Sequence, residues 1–134
     1  MHSDKKSIMV VGQVPPPWGG QAVAIKKLID TKFDAIDLHF VEMSFSRDMD
    51  DIGRFRWRKL LRLPNLIARI WVARFRLHCS TLYYPPGGES STAVLRDIAV
   101  LLTCRALFAE VVFHAHAGGF VDVAETTPLP VRLL

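Results

Sequence analysis

Six of the chain's eight glycines stand in three pairs, Gly19-Gly20, Gly87-Gly88 and Gly118-Gly119, each downstream of a short apolar run of strand type. Glycine lets a backbone turn sharply or come close to a ligand, and ligands of open α/β sheets sit beyond the carboxyl ends of the strands. The first pair directly precedes a helical segment, whose opening amides lack helical partners and attract anions. A hydrogen bond to a charged phosphate contributes about 1.5 to 3 kcal/mol, so a diphosphate would gain most from such a loop. The surrounding run G-Q-V-P-P-P-W-G-G-Q fits neither G-x-G-x-x-G nor the P-loop, which needs Lys followed by Ser or Thr. A proline-stiffened turn with glycines for steric fit is the competing reading. Trp18 either walls the cleft or packs, and Gln21 opens the helix behind it.

His114 and His116 lie two residues apart at the end of an apolar run, so both project to one side if the strand persists. His116, beside Gly118-Gly119, is the one placed to reach a ligand. An imidazole there could hydrogen-bond a sugar hydroxyl or stabilise charge developing at a reacting centre. His114, one step deeper, reads as a packed or supporting residue. A histidine pair could also hold zinc, which needs a third ligand, and Asp122 is the nearest candidate.

Positioning these loops requires strands that alternate with helices. Ile8 to Val11 is apolar at every position, as in a parallel strand covered on both faces. The segment Gln21 to Lys32 brings Val23, Ile25, Leu28 and Ile29 near helical spacing. Ile36, Leu38 and Phe40 alternate with Asp37 and His39, a pattern suited to a strand near a sheet edge. A helical region follows from about Phe55 to His78, divided by Pro64 in the first turn of a second helix. Leu82 to Tyr84 is a third strand, and Ser91 or Thr92 caps a helix with Val94, Leu95, Ile98, Leu101 and Leu102 as its apolar stripe. Glu110 to His114 is the fourth strand. The pattern predicts an α/β fold, a Rossmann-like doubly wound parallel sheet of about four strands in the order 3-2-1-4. Such a sheet is incomplete, and its fourth strand is an edge that a further strand would cover.

The 134 residues carry a net charge of +4, concentrated between Arg54 and Arg76, which hold eight basic residues and no acidic one. With Trp57, Trp71 and Phe75 interleaved, Arg58, Arg62, Arg69 and Arg76 suit an anionic membrane surface, where each cation is worth about 1 kcal/mol. The same composition also fits an ordinary crossover helix with its basic face in water. The segment lacks a recognised nucleic-acid motif. Charges interrupt every stretch approaching the roughly 20 apolar residues of a membrane span, and the polar Met1 to Ser7 reads as no secretory leader, so a cytoplasmic location is expected. Cys79 and Cys104 have neither CxxC nor zinc-ligand spacing and read as buried free thiols.

Taken in order, V-V-G-Q-V-P-P-P-W-G-G-Q, S-F-S-R-D-M-D-D-I-G, L-Y-Y-P-P-G-G and V-V-F-H-A-H-A-G-G-F resemble the amino-terminal domain of glycosyltransferase family 4. The resemblance covers nearly the whole chain. It implies a GT-B architecture, in which two Rossmann-like domains face across a cleft and a sugar moves from a nucleotide-diphosphate donor with retention of configuration, usually without metal. It further implies that Gly19 and Gly20 lie near the donor diphosphate and His116 near the reacting sugar. Trp18, Gln21, Gly87, Gly88, His114, Gly118 and Gly119 would then help form the acceptor side of the cleft. No cofactor is implied beyond the nucleotide-sugar substrate, and the partners are that donor and a glycan or lipid-linked acceptor rather than nucleic acid. The family's second, donor-holding domain has no counterpart in residues 1 to 134, so this portion alone is expected to be inactive. The other classes left open are a metal-dependent hydrolase using His114 and His116, and a noncatalytic basic module binding membrane or nucleic acid.

Overall fold

An unbroken apolar run has no polar face to offer water, and Ile8 to Val11 accordingly form the inner part of a central strand, with Met9, Val10 and Val11 fully buried. The computed structural model describes residues 5–16, 18–43, 61–87 and 91–114. Strand β1 (Lys6–Gly12) leads through helix α1 (Gly20–Asp30) to β2 (Ile36–Glu42). Helix α2 (Leu63–Leu77) precedes β3 (Thr81–Tyr84), and α3 (Ser91–Cys104) with a 3-10 turn at Arg105–Leu107 leads to β4 (Glu110–Phe113). All three strand pairings are parallel, with Val10 opposite Phe40 and Tyr83, and Tyr83 opposite Val112.

The sheet order is β2-β1-β3-β4, which corrects the expected 3-2-1-4. Burial explains the difference. Thr81, Leu82 and Tyr84 are buried while Asp37 and Glu42 of β2 face water, so β3 belongs beside β1 in the interior and β2 is left at an edge. The other edge is β4, where Val112 and Phe113 are exposed. At its start Lys6 reaches across the amino-terminal rim to Glu110, Nζ to Oε2 at 2.5 Å.

Side chains alternate across the sheet, and the helices divide between its faces. Met9, Val11, Leu82 and Tyr84 join Leu66 and Ile70 of α2 and Val100 and Cys104 of α3 in one core cluster. Val10 faces the opposite way, the side on which the buried Ile25 of α1 closes over β1. This is the doubly wound, Rossmann-like arrangement. Pro64 lies in the first turn of α2, where its missing N–H is no loss. The helix ends on His78 in the left-handed region at φ 52°. Helix α3 is rotated from the expected stripe: Leu101 is buried as expected, but Leu95 and Leu102 are exposed, and Thr92, Asp97, Val100 and Cys104 are buried in their place.

Cys79 and Cys104 are both buried and unbridged, and burial raises both thiols above their ordinary ionisation range. The thiolate is the reactive form, so neither should react in the native state at pH 8. Labelling with a chromogenic disulfide is expected to proceed only as fast as the protein unfolds; rapid stoichiometric labelling would contradict the packing. Among the described residues no helix is long and apolar enough to cross a membrane.

Candidate functional site

With β2 on one side of β1 and β3 on the other, the connections leave the sheet in opposite directions between β1 and β3. An open α/β sheet has its ligand crevice at that switch point, beyond the strand carboxyl ends. The loop from Gln13 to Gly19 and the turn Pro85-Pro86-Gly87 border it. The expected order would have opened the crevice between β1 and β4; in the structure the β4 end is one strand removed.

Gly19 is the N-cap of α1, with φ −129°, no side-chain cap and no acidic residue in the first turn. The Val23 N–H donates to the Gly19 carbonyl at 3.0 Å, which closes the first turn and leaves the amides of Gly20, Gln21 and Ala22 without helical acceptors. A Cβ added at Gly19 or Gly20 would meet nothing within 4 Å. Neither packing nor the Gly19 dihedral requires glycine, and the pair leaves the uncapped helix start bare of side chains on two successive residues. Trp18, 71 % exposed, flanks that space.

Gln21 crosses the crevice: its Nε2 donates to the carbonyls of Pro85 and Pro86, both at 3.2 Å. Its amide is a strut holding the two loops together, not an idle donor. Gly87 differs from the first glycine pair. A Cβ there would lie 2.4 Å from an Arg96 nitrogen and 2.7 Å from the Ala93 Cβ, so glycine is needed for close packing.

Beneath this turn lies a polar network that the sequence reading missed. Asp97, on the buried side of α3, accepts from the Tyr84 hydroxyl at 2.7 Å and from the Gly87 N–H at 2.6 Å. Arg96 donates to the same carboxylate through Nε at 2.8 Å and a terminal nitrogen at 2.6 Å. Burial opposes the charge on Arg96, but Asp97 more than offsets this and holds the guanidinium charged. Burial first, then the neighbouring carboxylate, pushes the Tyr84 hydroxyl far above the ordinary tyrosine range. The network fixes the β3 turn against the start of α3. The available signal was a lone Arg-Asp pair inside an apolar helix.

His114, expected as a packed or supporting residue, is exposed at the end of β4. Its Nδ1 pairs with the Tyr83 hydroxyl, and the rings meet edge to face at 5.9 Å and 85°. Burial raises the Tyr83 hydroxyl above its ordinary range. Tyr83 stands on the α1 side of the sheet, opposite in direction to Leu82 and Tyr84. Gly88, His116, Gly118, Gly119, Asp122 and Arg58 lie outside the described residues. Among the described residues no three His, Cys, Asp or Glu side chains group to hold a metal ion. Arg69 and Arg76 sit on α2 and Arg62 is its N-cap residue.

The structure thus brings Trp18, Gly19, Gly20, Gln21 and Gly87 to one crevice and sets His114 on the neighbouring strand end. Comparison with family models, with curated proteins and with solved structures finds no match to this chain.

Proposed function

We propose that the chain is the acceptor-side, amino-terminal portion of a retaining GT-B glycosyltransferase of hexosyltransferase type. Its crevice would take the diphosphate of a nucleotide-sugar at Gly19 and Gly20. The observation that carries this reading is the uncapped start of α1, bare of side chains on two successive residues, at the switch point. The resemblance of the loop sequences to glycosyltransferase family 4 supplies the reaction. In it the bond from the anomeric carbon to the diphosphate oxygen breaks, the acceptor hydroxyl oxygen bonds to that carbon, and the hydroxyl proton leaves with the nucleoside diphosphate. His116 would face the transferred sugar. The amides of Gly20, Gln21 and Ala22 would stabilise charge gathering on the departing diphosphate, with the α1 dipole adding about 0.3 to 1 kcal/mol. Trp18, Gly87, Gly88, His114, Gly118 and Gly119 would border the site for a glycan or lipid-linked acceptor, on the cytoplasmic side of the membrane. No cofactor or metal takes part. A second, donor-holding domain is needed for turnover, and this portion alone should be inactive.

Two hydrogen bonds to phosphate at about 2 kcal/mol each amount to about 4 kcal/mol, a Kd in the millimolar range. Ligand-observed NMR with uridine, guanosine and adenosine diphosphate sugars is therefore the suitable test. The reading expects a diphosphate to bind, and the matching nucleoside to bind at least about tenfold more weakly. Equal binding of nucleoside and diphosphate, or none of either, would overturn it.

A further inference from the structure

Helix α2 presents an unusual outer face. Its buried side is Leu66 and Ile70, with Leu63, Ile67 and Ala73 packed against the core. Yet Val72 and Phe75 are 54 % and 60 % exposed, and Trp71, whose side chain hydrogen-bonds the buried Cys104 of α3, is still 42 % exposed. At about 100° per residue, Trp71, Phe75, Ala68 and Val72 cover about 100° of the solvent side, and Asn65, Arg76 and Arg69 continue the next arc. An aromatic and aliphatic stripe thus runs along the helix beside a cationic one. Arg74 belongs to neither: its Nε donates to the Leu107 carbonyl at 2.7 Å and its guanidinium lies 5.7 Å from the centre of the Phe108 ring. Arg69 remains exposed although it also donates to the Glu42 carbonyl at 3.1 Å.

We infer that this face docks the protein on an anionic lipid surface, with Val72 and Phe75 entering the headgroup boundary, the exposed edge of Trp71 beside them, and Arg69 and Arg76 meeting lipid phosphates. Apolar residues alone would suit several partners, but the charges select among them. Residues 63 to 77 contain no carboxylate, so a second copy placed face to face would set arginine against arginine. An anionic bilayer complements both stripes at once: a helix lying in its plane buries the apolar arc by a few ångströms and keeps the adjoining cations at phosphate level. The reading stands apart from the crevice, which lies at the carboxyl ends of the strands.

The test is co-sedimentation of the full 134-residue chain with vesicles of phosphatidylcholine, with and without phosphatidylglycerol. Binding should require the anionic lipid and weaken with salt. Arg69→Gln with Arg76→Gln should lower it about 30-fold, about fivefold for each charge. Val72→Ser with Phe75→Ser, both more than half exposed, should lower it further while leaving the unfolding midpoint near wild type. The tryptophan emission should shift blue on vesicle binding, and Trp71→Phe should abolish that shift. No binding to anionic vesicles overturns the inference, as does binding that the Val72 and Phe75 changes leave intact. Self-association removed by the same apolar changes, or salt-sensitive RNA binding in place of lipid binding, would equally overturn it.

Discussion

Asp97→Ala is expected to destabilise the protein by about 3 to 5 kcal/mol, lowering Tm by roughly 10 °C or more. The carboxylate is the common acceptor for the Tyr84 hydroxyl, the Gly87 amide and the Arg96 guanidinium. Removing it takes from the buried guanidinium the carboxylate that accepts two of its hydrogen bonds, and that penalty exceeds the loss of any single neutral hydrogen bond. Tyr84→Phe removes one bond and should cost about 1 to 1.5 kcal/mol. Replacing Arg96 and Asp97 together by Met and Leu should recover most of the loss, because it deletes both buried charges. Urea unfolding of the four proteins measures all of this. An Asp97→Ala cost no greater than that of Tyr84→Phe would mean that the network does not hold the turn.

The second large effect separates two kinds of glycine. Gly87→Ala should destabilise by about 1 to 3 kcal/mol, since the new methyl must displace Arg96 and the Ala93 methyl. Gly20→Val meets only open space in the free protein, so its stability should change by less than about 1 kcal/mol. Its effect falls on the ligand: a branched side chain over the uncapped amides blocks phosphate approach and should weaken diphosphate binding at least about tenfold. Paired unfolding and binding measurements decide the matter. Should Gly20→Val unfold the protein, or leave diphosphate binding untouched, the assigned roles are wrong.

Much of the scaffold was legible because its signals are local. The apolar run Ile8 to Val11, the alternation in Ile36 to Phe40 and Pro64 at a helix start each declare an element without reference to the rest of the chain. Strand order was not legible in this way, since it depends on which partner accepts the four residues of β3, and period alone does not name a neighbour. The exposed side of α3 was misread for a related reason. Val94, Leu95, Ile98, Leu101 and Leu102 do form one stripe about 120° wide, but Asp97, to one side of it, is drawn inside by partners 10 and 13 residues away, and Leu95 and Leu102 are turned outward. The aromatic residues of α2 mislead in the opposite sense, for Phe75 carries the composition of a core and is 60 % exposed, while Trp71 is only partly covered as it reaches Cys104. At the crevice the glycine pairs looked alike in the sequence. Only the space around each distinguishes Gly87, fixed by packing, from Gly19 and Gly20, which packing leaves unexplained.

Amide-resolved NMR of the chain titrated with a nucleoside diphosphate addresses that last distinction most directly. The backbone signals of Gly19, Gly20, Gln21 and Ala22 should move together and farthest, with smaller shifts at Gly87 across the Gln21 strut, and the corresponding nucleoside should leave the four nearly still. Shifts confined to other strand ends, or an unchanged α1 start at saturating diphosphate, would contradict the proposed site.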